Sequence, residues 1–161
     1  MHTAYLLMGG NIGNREEYLQ QAVGLISQLA GTVEKRSSIY ETAAWGNTDQ
    51  AAFLNQAIRL RTRLSASELM TTLLLIEEKM GRKRLDRYGP RVIDIDILLY
   101  DTAIHATPHI RIPHPELPNR RFALEPLHEL APDLVHPILH KSVHELLNSC
   151  KDPLPVYKLT T

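Results

Sequence analysis

The stretch VIDIDILLY, residues 92–100, reads as a strand that carries two carboxylates inside an apolar run. Alternate residues of a strand share a face. Ile93, Ile95, Ile97 and Leu99 are therefore expected to enter a core, with Val92, Asp94, Asp96, Leu98 and Tyr100 on the opposite surface. The two aspartates would then stand side by side, their Cα atoms ~7 Å apart at the usual strand rise. A bare D-x-D is more often a pair of solvated positions. Here Val92, Leu98 and Tyr100 make the carboxylate face apolar, so an opposing positive charge is expected nearby.

Working outward from this strand gives the order of elements. TAYLLM (3–8) reads as a short buried strand ending at the turn GGNIGN (9–14). A helix is predicted over 15–29 from Leu19, Ala22, Val23, Ile26 and Leu29, with Asn14 as N-cap, Glu17 three residues on and Gly31 closing it. TVEKRSSIY (32–40) reads as a strand, 41–52 as a loop, and FLNQAIRLRT (53–62) as a strand with Leu54, Ile58 and Leu60 on one face. Ser65 and Glu68 form a capping box opening a helix over 65–80, whose Leu69, Leu73 and Ile76 make an apolar stripe ending at Gly81. VIDIDILLY closes the series as the fourth strand. The result is a ferredoxin-like βαββαβ arrangement, an α/β (α+β) two-layer sandwich in a single domain over 1–161. A proline-spaced tail (112–137) should add a C-terminal helical extension, with a short helix around 120–130 and another beginning at Ser142 with Glu145.

Composition excludes several classes. The 161 residues suffice for one domain with a proper core. Lys+Arg and Asp+Glu are 18 each, so no global field draws the chain to nucleic acid or membrane, and any basic site must be local. The single cysteine, Cys150, precludes an internal disulfide and fits a reducing compartment. No apolar run approaches the ~18–20 residues of a membrane span, and the start lacks the pattern of a secretory signal. A cytoplasmic protein is expected. The eight histidines hold no strong zinc pattern: His140 and His144 are helix-spaced at best.

The local basic site precedes the carboxylates. GRKRLDRYGPR (81–91) sets Arg82, Lys83, Arg84, Arg87 and Arg91 against one Asp86, bounded by Gly81 and Gly89-Pro90. A charge run is usually a solvated face. Leading directly into Asp94 and Asp96, this one suits a polyphosphate, with a hard cation such as Mg²⁺ held by one or two carboxylates and guanidinium groups gripping the remaining oxygens. The glycines would permit a mobile lid. Neither a P-loop nor a dinucleotide-binding glycine motif is present.

At these residues the chain resembles the 6-hydroxymethyl-7,8-dihydropterin pyrophosphokinases of folate biosynthesis. RYGPRVIDIDIL (87–98) is similar to that family's signature. GGNIGN (9–14), SSIYETAAWG (37–46), DQAAFLNQAI (49–58) and IPHPELPNRRFALEPLHELAPDLVHP (112–137) extend the likeness over nearly the whole chain. The resemblance implies transfer of pyrophosphate from ATP to the pterin hydroxymethyl group with release of AMP, in a monomer acting on small molecules. It implies two Mg²⁺ ions on Asp94 and Asp96, a catalytic set of Arg82, Arg91, Asp94 and Asp96, and no obligatory protein base. Contacts to ATP would come from Glu77, Arg82, Arg84, Arg87, Arg91, Ile97, His114 and Arg120. The pterin would meet Thr42, Ala43, Trp45, Phe53, Asn55, Tyr88 and Phe122, with Phe53 and Phe122 sandwiching the ring and Asn55 facing its amide edge. For either phenylalanine alone, core packing is the commoner role, and His114 could equally be a structural histidine between prolines.

Four positions depart from the family's habit. Ala43 stands where proline is frequent, Phe53 where tyrosine is, Leu74 where some relatives carry glutamine, and Gly10 where serine is common. Two other functions fit a carboxylate pair. A two-metal nucleotidyltransferase or nuclease would need a wider basic surface interleaved with aromatics, and the loop has only Tyr88. A non-catalytic ferredoxin-like binding module would use the carboxylates merely to cap a sheet.

Overall fold

The computed structural model describes residues 1–43, 51–81 and 92–159. β1 (His2–Gly10) and β4 (Phe53–Thr62) lie at the centre of an antiparallel sheet ordered β5-β1-β4-β3-β8, with β2 also paired to β4. β2 is Thr32–Arg36, β3 is Tyr40–Thr42, β5 is Asp94–Tyr100 and β8 is Val156–Lys158. Counting β2 and β3 as one interrupted strand, the order is that of a ferredoxin-like sheet with β8 added at one edge. β1 is buried from Ala4 to Gly10, on both faces, which is why it reads as a continuous apolar run.

Two helices cover one face. α1 (Arg15–Leu29) begins where the Asn14 side chain accepts from the Glu17 N–H at 3.2 Å. α2 (Ala66–Lys79) carries the full Ser65–Glu68 capping box. Leu19, Ala22 and Ile26 of α1 join Leu69, Leu73 and Ile76 of α2 over Leu6, Met8, Leu54, Ile58, Leu60, Ile93, Ile95 and Ile97. At the end of α1, Gly31 lets the chain pass close to β4, since a Cβ there would strike the Arg61 carbonyl. The C-terminal extension packs on the other face. α3 (Arg121–Leu130) and α4 (Val143–Asn148, opened by the Ser142–Glu145 box) place Ala123, Leu124, Leu127, Val143 and Leu146 against Tyr5, Leu7, Ala57, Leu98 and Leu99. Between β5 and α3 run the two-residue strands β6 (His105–Ala106) and β7 (Arg111–Ile112) and a turn of 3₁₀ helix at Leu117–Asn119.

Three local readings change. The strand expected over 32–40 breaks at Ser37. There the serine hydroxyl accepts from the Ala57 N–H (2.9 Å), its own N–H donates to the Ala57 carbonyl (2.8 Å), and Gln56 donates to its carbonyl (2.7 Å). A side chain thus stands in the ladder in place of backbone, and the strand resumes as β3, taking Glu41 and Thr42 out of the expected loop. The strand expected from Val92 begins at Asp94. Within it the register slips: Tyr5 pairs with Leu99 but Leu6 with Ile97, leaving Leu98 as an extra residue. This bulge reverses the alternation beyond it. Leu99 therefore joins Leu98 under α3, and Tyr100, expected beside the aspartates, turns to the α1–α2 core, where its hydroxyl donates to the Leu64 carbonyl.

Candidate active site

The aspartates keep their expected face. Asp94 and Asp96 are half-buried, while Ile95 and Ile97 between and beyond them are buried in the α1–α2 core. β5 is an edge strand, so alternate N–H groups face away from β1. The one at Ile95 donates to the Glu77 carboxylate at 2.7 Å. Glu77 is 4% exposed and supports the strand between the aspartates from the α2 side. Ile97 is equally buried, leaving its backbone as the part able to meet a ligand.

Strand pairing builds a row across the sheet from residues far apart in sequence. Asp94 pairs with Gly9, Gly9 with Asn55, and Asn55 with Tyr40. Paired residues share a face. The Asn55 amide lies over Gly9, where a Cβ would collide with its Oδ1. Glycine is thus what allows the amide to occupy the ground between Asp94 and Tyr40. Two residues along β4 from Asn55 and on the same face, Phe53 is half-buried and pairs with Thr42.

The extension after β7 brings a second group to this face. The His114 N–H donates to the Leu98 carbonyl at 3.0 Å, tying it to the carboxylate strand. Its Nδ1 accepts from the Glu116 N–H at 3.1 Å, so the ring proton of the neutral imidazole sits on Nε2. Burial pushes the His114 pKa down, Asp96 opposes that, Arg120 pushes it further down, and Glu116 opposes again. Arg120 caps α3 and holds its guanidinium carbon 5.7 Å from the centroid of the Phe122 ring. Asp96, His114, Arg120 and Phe122 are thereby gathered at one end of α3.

The other end of α3 is anchored as well. The Glu129 carboxylate accepts from the Tyr40 hydroxyl (2.6 Å), the Ser38 N–H (2.8 Å) and the Ser38 hydroxyl (3.3 Å). Burial and the adjoining carboxylate push the Tyr40 phenol well above its ordinary range. Burial raises Glu129, but the bonds from Tyr40 and Ser38 and the charge of Lys158 outweigh it, holding the carboxyl low. At the first turn, the Arg121 N–H donates to the Asp152 carboxylate (3.1 Å) and its guanidinium to the Cys150 carbonyl (3.0 Å). Gly9, Tyr40 and Glu129 were not singled out from the sequence. They fall within the family-like segments 9–14, 37–46 and 112–137, but what joins them is strand register for Gly9 and Tyr40 and a side-chain hydrogen bond for Glu129, which no local pattern carries.

Of the expected site residues, the structure brings together Asp94, Asp96, His114, Arg120 and Phe122, with Thr42, Phe53 and Asn55 along the neighbouring strands. Thr42 is buried and Ala43 exposed. Trp45, Arg82, Arg84, Arg87, Tyr88 and Arg91, and with them the lid, lie outside the described residues. Among the described residues no group of three or more His, Cys, Asp or Glu side chains is arranged to hold a metal. Two carboxylates alone are the donor set of a cation completed by phosphates and water, as Mg²⁺ commonly is.

The chain matches the family model described as 7,8-dihydro-6-hydroxymethylpterin-pyrophosphokinase (HPPK) over residues 5–132. It is 39% identical over 145 residues to the 2-amino-4-hydroxy-6-hydroxymethyldihydropteridine pyrophosphokinase of Aquifex aeolicus, covering 90% of each chain. The protein of the same name from Bacillus subtilis is 48% identical over 128 residues, 79% of this chain and 77% of that one. Among solved structures, Plasmodium falciparum HPPK-DHPS superposes with a TM-score of 0.75 at 17% identity, over 92% of this chain and 43% of that one. This chain thus spans less than half of that longer protein, and the likeness carries the fold alone.

Proposed function

The chain belongs to the 7,8-dihydro-6-hydroxymethylpterin-pyrophosphokinase family, and from that premise we infer how its residues serve the reaction. The enzyme transfers pyrophosphate from ATP to the hydroxyl of 6-hydroxymethyl-7,8-dihydropterin in folate biosynthesis, releasing AMP.

The observation that carries the assignment of roles is the row Asp94–Gly9–Asn55, which sets a carboxylate and an amide on one face two strands apart. Asp94 and Asp96 would hold two Mg²⁺ ions and through them the triphosphate. When bound, the metal supplies neutralisation of phosphate charge. His114, through Nε2–H, and Arg120 donate to the phosphates from the α3 end, with Arg82, Arg84, Arg87 and Arg91 assigned the remaining oxygens on sequence grounds. Phe53 and Phe122 stack on the pterin, Asn55 donates to and accepts from its amide edge, and the backbone at Thr42, Ala43 and Trp45 completes that edge. Tyr88 is assigned to the same substrate on sequence grounds.

The pterin hydroxyl then lies in line with the β-phosphorus. Its oxygen forms the new P–O bond, the bond to the AMP oxygen breaks, and the hydroxyl proton passes to solvent. Positioning and charge stabilisation account for the acceleration. Glu77 acts from beneath the strand by holding the Ile95 N–H. Among the described residues no helix is long and apolar enough to cross a membrane. The proposed setting is cytoplasmic, which the lone cysteine fits, with small molecules as partners, since 18 Lys+Arg against 18 Asp+Glu leave no global pull toward nucleic acid; the monomer rests on the family resemblance alone.

A thermal-shift series tests these roles. Mg²⁺, a non-reacting ATP analogue and a pterin together should raise the melting temperature beyond either ligand alone; saturation at 100 Kd is worth about 2.7 kcal/mol. Stabilisation by single-stranded nucleic acid and none by the pterin would contradict them.

A further inference from the structure

The family match ends at residue 132. β8 lies well beyond it, yet it is paired to the strand that ends at Thr42. Thr42 faces Val156, Glu41 faces Tyr157 and Tyr40 faces Lys158. The Leu159 N–H donates to the Ile39 carbonyl at 2.8 Å, and the Thr42 hydroxyl donates to the Pro155 carbonyl at 3.0 Å. The Lys158 ammonium stands 3.8 Å from the Glu129 carboxylate that holds Tyr40 and Ser38. β3 is three residues long, and without β8 it would be an exposed edge held by β4 alone. A short edge strand frays readily. These contacts hold β3 along its length, and the Val156 pairing and the bond to Pro155 oppose fraying at the point where Thr42 leads into Ala43.

We propose that residues 155–159 are a positioning element for the pterin: by pairing with β3 they fix Thr42 and Ala43 against Phe53 and Asn55. The inference rests on the assignment of that backbone to the pterin edge. β8 and β5 occupy opposite edges of the sheet. The element should therefore act on the pterin and leave ATP, held at Asp94 and Asp96, unaffected.

The test uses point variants of the full chain. Tyr157 is 64% exposed, so its side chain contributes little. Leu159 donates to Ile39, so by the two-residue alternation of an antiparallel ladder Tyr157 is the next donor facing β3. Tyr157→Pro removes that donor. Thr42→Val removes the hydroxyl bond to Pro155 while keeping shape, and Thr42→Ser restores it. Titration should show pterin Kd rising about tenfold in Tyr157→Pro and roughly threefold to tenfold in Thr42→Val, the cost of one or two hydrogen bonds. Thr42→Ser should return to within about twofold of the parent, and Kd for the ATP analogue with Mg²⁺ should hold in all three. Unchanged pterin affinity, or equal weakening of both ligands, would overturn the proposal. If Tyr157→Pro does not fold, the Thr42→Val and Thr42→Ser pair decides alone. A parent chain that binds no pterin would instead overturn the underlying reading, and that is seen before any variant is made.

Discussion

Gly9→Ala puts the site's geometry to a stringent test, because the substitution adds one methyl group at a place where the structure shows what it meets. Gly9 does not have a positive φ, so alanine suits its backbone. The obstacle is steric. The new Cβ would overlap the Asn55 Oδ1 and stand 3.3 Å from the Asn55 Cγ and from the Leu54 carbonyl. Asn55 is 5% exposed, and its amide must rotate off the sheet to make room. Overpacking of this kind costs about 1–3 kcal/mol, offset by roughly 0.4–1 kcal/mol from replacing a glycine in the unfolded chain. A net loss near 1 kcal/mol lowers the melting temperature by about 2–4 °C in a chain of this size. The larger effect falls on the pterin. An amide edge left without its partner costs about 1–3 kcal/mol, or roughly 5- to 150-fold in Kd. Titration of pterin and of an ATP analogue against Gly9→Ala, Asn55→Ala and the double variant reads this out. If the effect travels through Asn55, the double variant binds no more weakly than Asn55→Ala. Fully additive losses, or a pterin Kd within twofold of the parent for Gly9→Ala, would refute the placement of Asn55.

Other expectations follow from the same face. Asp94→Asn and Asp96→Asn should each cut turnover severely under limiting Mg²⁺ while the fold holds, because each removes a metal ligand; near-normal turnover in both would remove the metal assignment. Phe122→Ala should weaken the pterin by about 1–3 kcal/mol and also leave Arg120 without its stacking surface, which titration of each ligand separates. The folded pKa of Glu129 lies below its ordinary 4.5, so its contribution to stability is full above that value and is lost as pH falls through the folded one. Denaturant unfolding of Glu129→Gln should therefore lose stability less steeply than the parent from about pH 5 to pH 3, and parallel profiles would show that the carboxylate is not the group responsible.

How much of this was legible in the sequence depends on whether the cause is local. α1, β4 and α2 follow from apolar spacing and from caps within three residues of the start, and all three were readable to within about a residue. The break at Ser37 was not, because it arises when a serine side chain takes a ladder position opposite Ala57, 20 residues away. The bulge at Leu98 was hidden by its own composition. In the run Ile97-Leu98-Leu99-Tyr100 every residue can be buried on either face, so the alternation carries no signal of where it slips. β8 is three residues with mostly exposed side chains, and its pairing with β3 is a tertiary fact. The site divides the same way. The aspartate pair is a strand-periodicity inference, and His114, Arg120 and Phe122 come from family likeness. The roles of Gly9 and Tyr40 emerge only when strands far apart in sequence are laid in register, and that of Glu129 only when α3 is packed beside them.

The central claim, pyrophosphoryl transfer to a pterin, is tested most directly by following the nucleotide product. The purified chain, given ATP, Mg²⁺ and 6-hydroxymethyl-7,8-dihydropterin, should form AMP and pyrophosphorylated pterin in equal amounts, and should form neither when the pterin or Mg²⁺ is withheld. ADP in place of AMP, or AMP formed at the same rate without the pterin, would contradict it.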